Sequence, residues 1–336
     1  MTTTTPMTKR QRVMAALRGE AVDRVPLAFW LHNFVTENSA KGLADETLRL
    51  ARTFDWDFLK PQSRAQCFAE MWGLAYAPSG DRARPYTVTH APIATADDLA
   101  RLPVADPREG ALGEQLEALR LIRAAVGPEM PIIWTVFAPP MVLPMLARGG
   151  RDQALGFLRE APRETARAFD VMAETLAEYA RLCRAAGADG LFYATNVATR
   201  ALMSAEECRR WQRPWDLRIL EGMADAPFNL LHVCGAGIHF EEFADYPVTA
   251  LSFATVPGNP TLAAAEARTG RAVVGGLPAK PEIAALSEAV LVERVAAATR
   301  EMRGRHLLLG PDCSINPDTP ERLLHAVGAA VRGAAA

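Results

Sequence analysis

Short apolar runs recur along this chain between longer stretches in which apolar residues return every three or four positions. The runs Val25–Trp30, Asp57–Lys60, Pro131–Phe137, Asp189–Tyr193, Phe228–His232, Val248–Phe253, Arg271–Gly276 and His306–Leu309 read as strands. Between most of them, Glu164–Ala186, Ser204–Met223, Thr261–Thr269 and Ile283–Met302 carry the spacing of amphipathic helices. Strands that alternate with helices specify a parallel sheet. Eight such units close most economically into a (β/α)8 TIM barrel, because an open doubly wound sheet more often shows a Gly-rich nucleotide turn after its first strand, and none is present. Residues 1–336 are expected to form a single barrel domain, with a helical N-terminal extension over 1–24. The stretch 62–129, with turn-rich pieces such as Ala77-Pro-Ser-Gly80 and one helix at Leu112–Val126, reads as an insertion over one rim.

Composition narrows the partners. The 336 residues are 49% apolar with a formal net charge of −2, which suits a large buried core and argues against a polyanionic ligand such as nucleic acid. No apolar stretch is long enough to span a bilayer, and the Thr-rich start lacks the apolar core of a secretion signal, so a cytoplasmic protein without membrane attachment is expected. Five cysteines in such a chain read as reduced thiols or ligands, not as a disulfide framework.

Two of those cysteines stand where a barrel places its chemistry, just beyond strand C-termini. His232-Val-Cys234 follows one apolar run, and Cys313 in Gly310-Pro-Asp-Cys313 follows another. One imidazole and two thiolates are donors that hold zinc and leave a tetrahedral position open for a substrate. The C-terminal loop has to fold inward to bring Cys313 to the other two, since the fifth and eighth strands are not neighbours. Asp312 is the nearest candidate to hold the second nitrogen of the His232 ring. Other polar residues at strand ends, His32, Asn33, Lys60, Tyr193 and Asn196, are candidate substrate contacts. Gly275-Gly276 suits close approach of a substrate to the backbone or a tight loop. Cys67, Cys183 and Cys208 read as core filling, and His239, His306 and His325 as structural.

Several segments together resemble the uroporphyrinogen decarboxylase superfamily, and within it the zinc-dependent methylcobalamin:coenzyme M methyltransferases. They are Lys9-Arg-Gln-Arg-Val-Met-Ala-Ala-Leu-Arg-Gly19 with Asp23-Arg-Val-Pro26, Ala138-Pro-Pro-Met-Val-Leu-Pro144, Gly187-Ala-Asp-Gly190, Leu231-His-Val-Cys-Gly235, Gly275-Gly276 and Cys313-Ser-Ile-Asn-Pro-Asp-Thr-Pro320. The resemblance implies zinc on His232, Cys234 and Cys313, activating a thiol that exchanges a methyl group with a corrinoid. The chain departs from true porphyrin decarboxylases, which carry Arg-Gln-Ala-Gly-Arg-Tyr after the first strand where this chain has Trp30-Leu-His-Asn-Phe34. No Asp-x-His-x-x-Gly corrinoid motif occurs, so methylcobalamin is expected as a free substrate or on a partner corrinoid protein. Two other readings compete with this one. The first is a metal-independent decarboxylase or lyase using His32, Lys60, Tyr193 and Asn196, and the second a non-catalytic corrinoid- or tetrapyrrole-binding accessory protein.

Overall fold

The computed structural model describes residues 6–333, so the first five residues of the expected extension lie outside it. A short antiparallel hairpin, β1 (Ala75–Ala77) and β2 (Thr87–His90), stands apart from the main sheet. That sheet is a parallel ladder in chain order: β3 (Ile133–Phe137), β4 (Gly190–Thr195), β5 (Leu230–Val233), β6 (Ala250–Phe253), β7 (Ala272–Leu277) and β8 (Leu307–Pro311). The strands expected over Val25–Trp30 and Asp57–Lys60 are reduced to isolated parallel bridges, Leu27 to Leu309, Leu31 to Ile315 and Leu59 to Ile132. Backbone hydrogen bonds still carry the circuit round. Leu309 N donates to Pro26 O at 2.8 Å, Asp57 N to Leu27 O at 2.9 Å, and Leu59 N to Pro131 O at 2.8 Å. Pro26 has no N–H to give, and the N–H of Leu27 goes to the Asp57 carboxylate at 2.9 Å, so neither segment can build a regular ladder.

Where the strands enter the barrel, polar side chains finish the pairing. Asp189 Oδ2 accepts from Ile132 N at 2.9 Å and Asn229 Oδ1 from Leu191 N at 3.0 Å, repeating what Asp57 does for Leu27. The two carboxylates are buried and each is held by two arginines: Asp57 by Arg12 and Arg24, Asp189 by Arg10 and Arg123. Arg10 and Arg12 belong to the first helix, Lys9–Leu17, whose capping box is built by Thr8 and Gln11. Much of the family-like sequence at this end, Lys9 to Pro26 and Gly187 to Gly190, therefore serves construction.

Two expected helices are each divided. Ser204–Met223 becomes Ala205–Trp211 and Arg213–Glu221, because Pro214 cannot donate into the preceding turn. Ile283–Met302 becomes Glu282–Ala285 and Glu288–Glu301, the second begun by Ser287, whose side chain caps Val290 N. Within 62–129, the helix Gly110–Val126 packs on the helix Ala40–Phe54 in the outer layer. The β1–β2 hairpin instead leans over the C-terminal face, where its connecting loop donates from Arg82 to Pro317 O at 2.9 Å. No helix among the described residues is long and apolar enough to cross a membrane.

Candidate functional site

Strand alternation decides which side chains reach the barrel mouth. On β4, Phe192 faces inward, where it meets Trp30 at 5.5 Å and His232 at 5.0 Å between ring centroids. Tyr193 faces the helices, and its hydroxyl donates to Asp216 at 2.5 Å. Tyr193 is thus fully buried behind the strand and does not line the mouth, contrary to the sequence expectation. The ladder pairs His232 of β5 with Ser252 of β6, and both point inward. His232 Nδ1 lies 3.2 Å from Ser252 Oγ, so Ser252 takes the orienting role expected of Asp312. Nε2 of that ring is buried and makes no hydrogen bond among the described residues.

The sulfurs complete the group. A ring nitrogen of His232 and the Sγ atoms of Cys234 and Cys313 all lie within 4.8 Å of one another, and among the described residues this is the one group of three or more His, Cys, Asp or Glu placed to share a metal ion. The two sulfurs are 3.7 Å apart. Cys234 reaches the mouth as β5 ends, its N–H bonded to Thr195 O at 2.8 Å, and the chain then turns at Gly235 with φ +116°. Cys313 arrives on the loop after β8. That loop is pinned by Asp312, whose backbone N donates to Leu277 O at 2.8 Å and whose carboxylate accepts from Thr255 N at 3.0 Å in the loop after β6. The Asp312 tie spans β7 beside Gly275, where a Cβ would lie 3.9 Å from Asp312 Oδ1, and it draws Cys313 back toward β5. Gly276 has φ +87° and a Cβ there would lie 2.7 Å from that of Ala298, so this glycine serves the backbone.

The electrostatics favour one sulfur anion, on Cys313, beside a protonated Cys234. Donation from the Cys234 thiol holds Cys313 far below the ordinary cysteine range, against the opposing effect of burial, with His232 helping. The same hydrogen bond and burial push the Cys234 thiol up, while Lys280 and Arg151 oppose that rise. Burial raises Asp312 to about 6, despite its bonds from Thr255.

The remaining candidates divide. Lys60, expected at a strand end, is 6% exposed, and its Nζ sits 4.6 Å above the centre of the Phe192 ring. His32 is part-buried, stacked on Phe34, and bonded to Glu37 Oε2 at 2.8 Å and Gln62 Nε2 at 2.8 Å. Asn33 closes its own loop, its Oδ1 accepting from Val35 N and Thr36 N at 3.3 Å each. Asn196 stands directly after β4, and its buried Oδ1 has no hydrogen-bond partner among the described residues. Cys67, Cys183 and Cys208 are buried among apolar side chains, and burial drives Cys208 up to about 12. Sequence reasoning missed Phe192 and Gln62, and saw Ser252 only as one strand-end residue among several. Period-two alternation along β4 separates Phe192 from Tyr193, but the face it shares with His232 and Ser252 depends on the register between strands; nothing in the sequence marked Gln62.

Comparison with known proteins gives a consistent picture. Methylcobamide:CoM methyltransferase MtaA of Methanosarcina barkeri is 25% identical over 350 residues, covering 96% of this chain and 97% of that protein. Methylcobamide:CoM methyltransferase MtbA of Methanosarcina acetivorans is 22% identical over 245 residues, 69% of this chain and 71% of the relative. A methyltransferase from Methanosarcina mazei superposes with a TM-score of 0.83 at 22% identity, covering 98% of this chain and all of that one, and so shares the fold. A B12-independent methionine synthase from Shewanella sp. W3-18-1 gives a TM-score of 0.58 at 14% identity, over 94% of this chain and 97% of the other. The uroporphyrinogen decarboxylase (URO-D) family model matches residues 8–334, nearly the whole barrel with its metal-competent mouth, and the chain belongs to that family.

Proposed function

We propose that this chain is a zinc-dependent methyltransferase that moves a methyl group between a corrinoid and a thiol, or another small acceptor, with His232, Cys234 and Cys313 as the zinc ligands. The observation that carries the reading is the convergence of these three side chains together with the unpartnered, buried Nε2 of His232. A buried ring nitrogen without a partner is costly unless something else satisfies it. Two sulfurs and one imidazole fit zinc and match the donor count of catalytic sites. Zinc held there supplies positive charge that stabilises an acceptor thiol as its thiolate near neutral pH.

The protein's own groups organise the rest. Ser252 holds Nδ1 of the His232 ring and leaves Nε2 as the nitrogen available to a metal. Thr255 and Asp312 hold the loop that carries Cys313. Trp30 and Phe192 form an apolar floor that keeps water from beneath the site. In the forward direction a methyl group leaves cobalt for the acceptor's sulfur, a thioether forms, and cobalt keeps the bonding pair. The names of the MtaA and MtbA relatives support a corrinoid donor and a thiol acceptor. The absence of a corrinoid motif from this chain supports a donor that arrives free or on a partner corrinoid protein. The metal-free lyase reading loses Tyr193, which is committed to Asp216 behind the strand.

The test follows methylcobalamin with a panel of small thiols by absorbance, with metal-replete and metal-stripped protein. Demethylation that requires both thiol and zinc is the expected result. Turnover unchanged after stripping, or in Cys234→Ala, would contradict the reading.

A further inference from the structure

Lys60 is anomalous on physical grounds. It is a buried lysine at 6% exposure, and no carboxylate among the described residues lies within ion-pairing distance of it. An ammonium buried without a counter-ion is costly, and such groups mark places where negative charge is expected to come. Its surroundings are built to orient it. Nζ donates to Gln62 Oε1 at 2.5 Å, which leaves Gln62 Nε2 to donate to His32 Nε2 at 2.8 Å. The His32 proton is then on Nδ1, facing Glu37 Oε2 at 2.8 Å, and the Tyr86 hydroxyl donates to Glu37 Oε1 at 3.0 Å. Every donor in this chain runs from Lys60 toward Glu37. The carboxylate is thereby kept two side chains away from the ammonium. The opposite side of Nζ rests on Phe192, the ring that also stacks on His232.

Charge accounting supplies the role. A zinc ion with two cysteine thiolates and a neutral imidazole carries no net charge, and a third thiolate makes the group negative by one. In a buried site that excess is costly unless a cation stands near. We infer that Lys60 is the buried counter-charge of the sulfur site: its ammonium holds the negative charge that an incoming thiolate brings beside Cys234 and Cys313. It stands inside the exposed cations Lys280 and Arg151, whose fields also reach Cys234. The thiol's own proton leaves to solvent, so charge and atoms balance. Lys60 acts as a positioning residue, and the inference rests on the zinc-thiol reading above. Burial lowers the Lys60 ammonium to about 7, while the fields of Cys313 and Glu37 oppose the drop, so an arriving anion strengthens the charged form. Gln62, His32 and Glu37 hold the ammonium in place without neutralising it.

The experiment reads binding, not turnover. Cobalt is exchanged into the purified protein in place of zinc, and 2-mercaptoethanol is titrated in at several pH values while sulfur-to-cobalt charge-transfer absorbance is followed. Wild-type protein and Lys60→Met are compared, with metal content measured in each to show that the site is intact. Lys60→Met is expected to keep its metal but to bind the thiol about tenfold or more weakly at pH 7, with the binding midpoint moved up by about one pH unit or more. Gln62→Ala, which leaves the lysine but frees it from its tether, is expected to fall between the two. An unchanged midpoint in metal-loaded Lys60→Met would overturn the inference. So would a loss seen with mercaptoacetate and not with 2-mercaptoethanol, which would make Lys60 a carboxylate contact. Failure of the wild-type protein to bind cobalt or thiol at all would instead strike the zinc-thiol reading beneath it.

Discussion

A single ring nitrogen sets the residue-scale argument. His232 Nδ1 is held by Ser252, so its tautomer and direction depend on one hydroxyl. Ser252→Ala is expected to weaken zinc binding by about tenfold to a hundredfold, measured by competition with a chromophoric chelator, without loss of the fold. Equal affinity in the two proteins would show that the hydroxyl does not orient the ring. The three sulfur and nitrogen donors were legible in the sequence because His-x-Cys and a later Cys each follow an apolar run. Ser252 was visible only as a strand-end residue, since its role depends on the register that pairs β6 with β5. Tyr193 was misplaced for a related reason. β4 runs on to Thr195, and one step of the two-residue period separates a side chain in the mouth from one against the helices.

At the scale of elements, the barrel depends on contacts between strands and the helix layer. Asp216, on the helix Arg213–Glu221, accepts from Tyr193 and Tyr246 without an ion pair among the described residues, and burial raises it to about 7. Its folded-state pKa therefore lies above the unfolded one. The associated stability is fully present below about pH 4 and is lost as pH rises to about 7. Asp216→Asn removes that titration. Chemical denaturation of both proteins is expected to show the wild type's advantage at pH 5 shrinking by pH 8; parallel curves across this range would contradict the assignment. Packing between strands is equally strict at Gly190, where a Cβ would come within 1.9 Å of Phe228 O. Gly190→Ala is expected to cost about 3 kcal/mol or more, because backbone and not a side chain has to move, and a thermal melt measures it. The six ladder strands and the helices around Leu112–Val126, Glu164–Ala186 and Thr261–Thr269 were legible from their periods, while Ala40–Phe54, Pro139–Leu146, Gly150–Glu160 and Glu321–Gly333 were not read. The divided helices and the two irregular segments were not legible, because Pro214, Pro26 and the Asp57 carboxylate act through single hydrogen bonds that leave the hydrophobic pattern unchanged.

The whole molecule separates stability from chemistry along the barrel axis. At the entry end, Arg12 and Arg24 bind Asp57, joining the first helix to both irregular segments. Arg12→Met leaves a buried carboxylate short of a partner and is expected to cost about 3 kcal/mol, lowering the melting temperature while zinc content stays unchanged. A fall in zinc content of the folded variant would show that the two ends are coupled. The family-like segments at this end were legible as sequence, but their construction role became visible only once the strand entries were assembled. At the exit end, the loop after β8 crosses back over β7 and brings Cys313 to Cys234, the step on which the functional account depends. The most direct measurement is metal content by elemental mass spectrometry on protein purified without chelator or nickel resin, with Cys234→Ala and Cys313→Ala in parallel. The account predicts about one zinc per chain in the wild type and its loss from both folded variants. Wild-type protein that neither carries nor takes up zinc, or variants that keep it, would contradict the account at its centre.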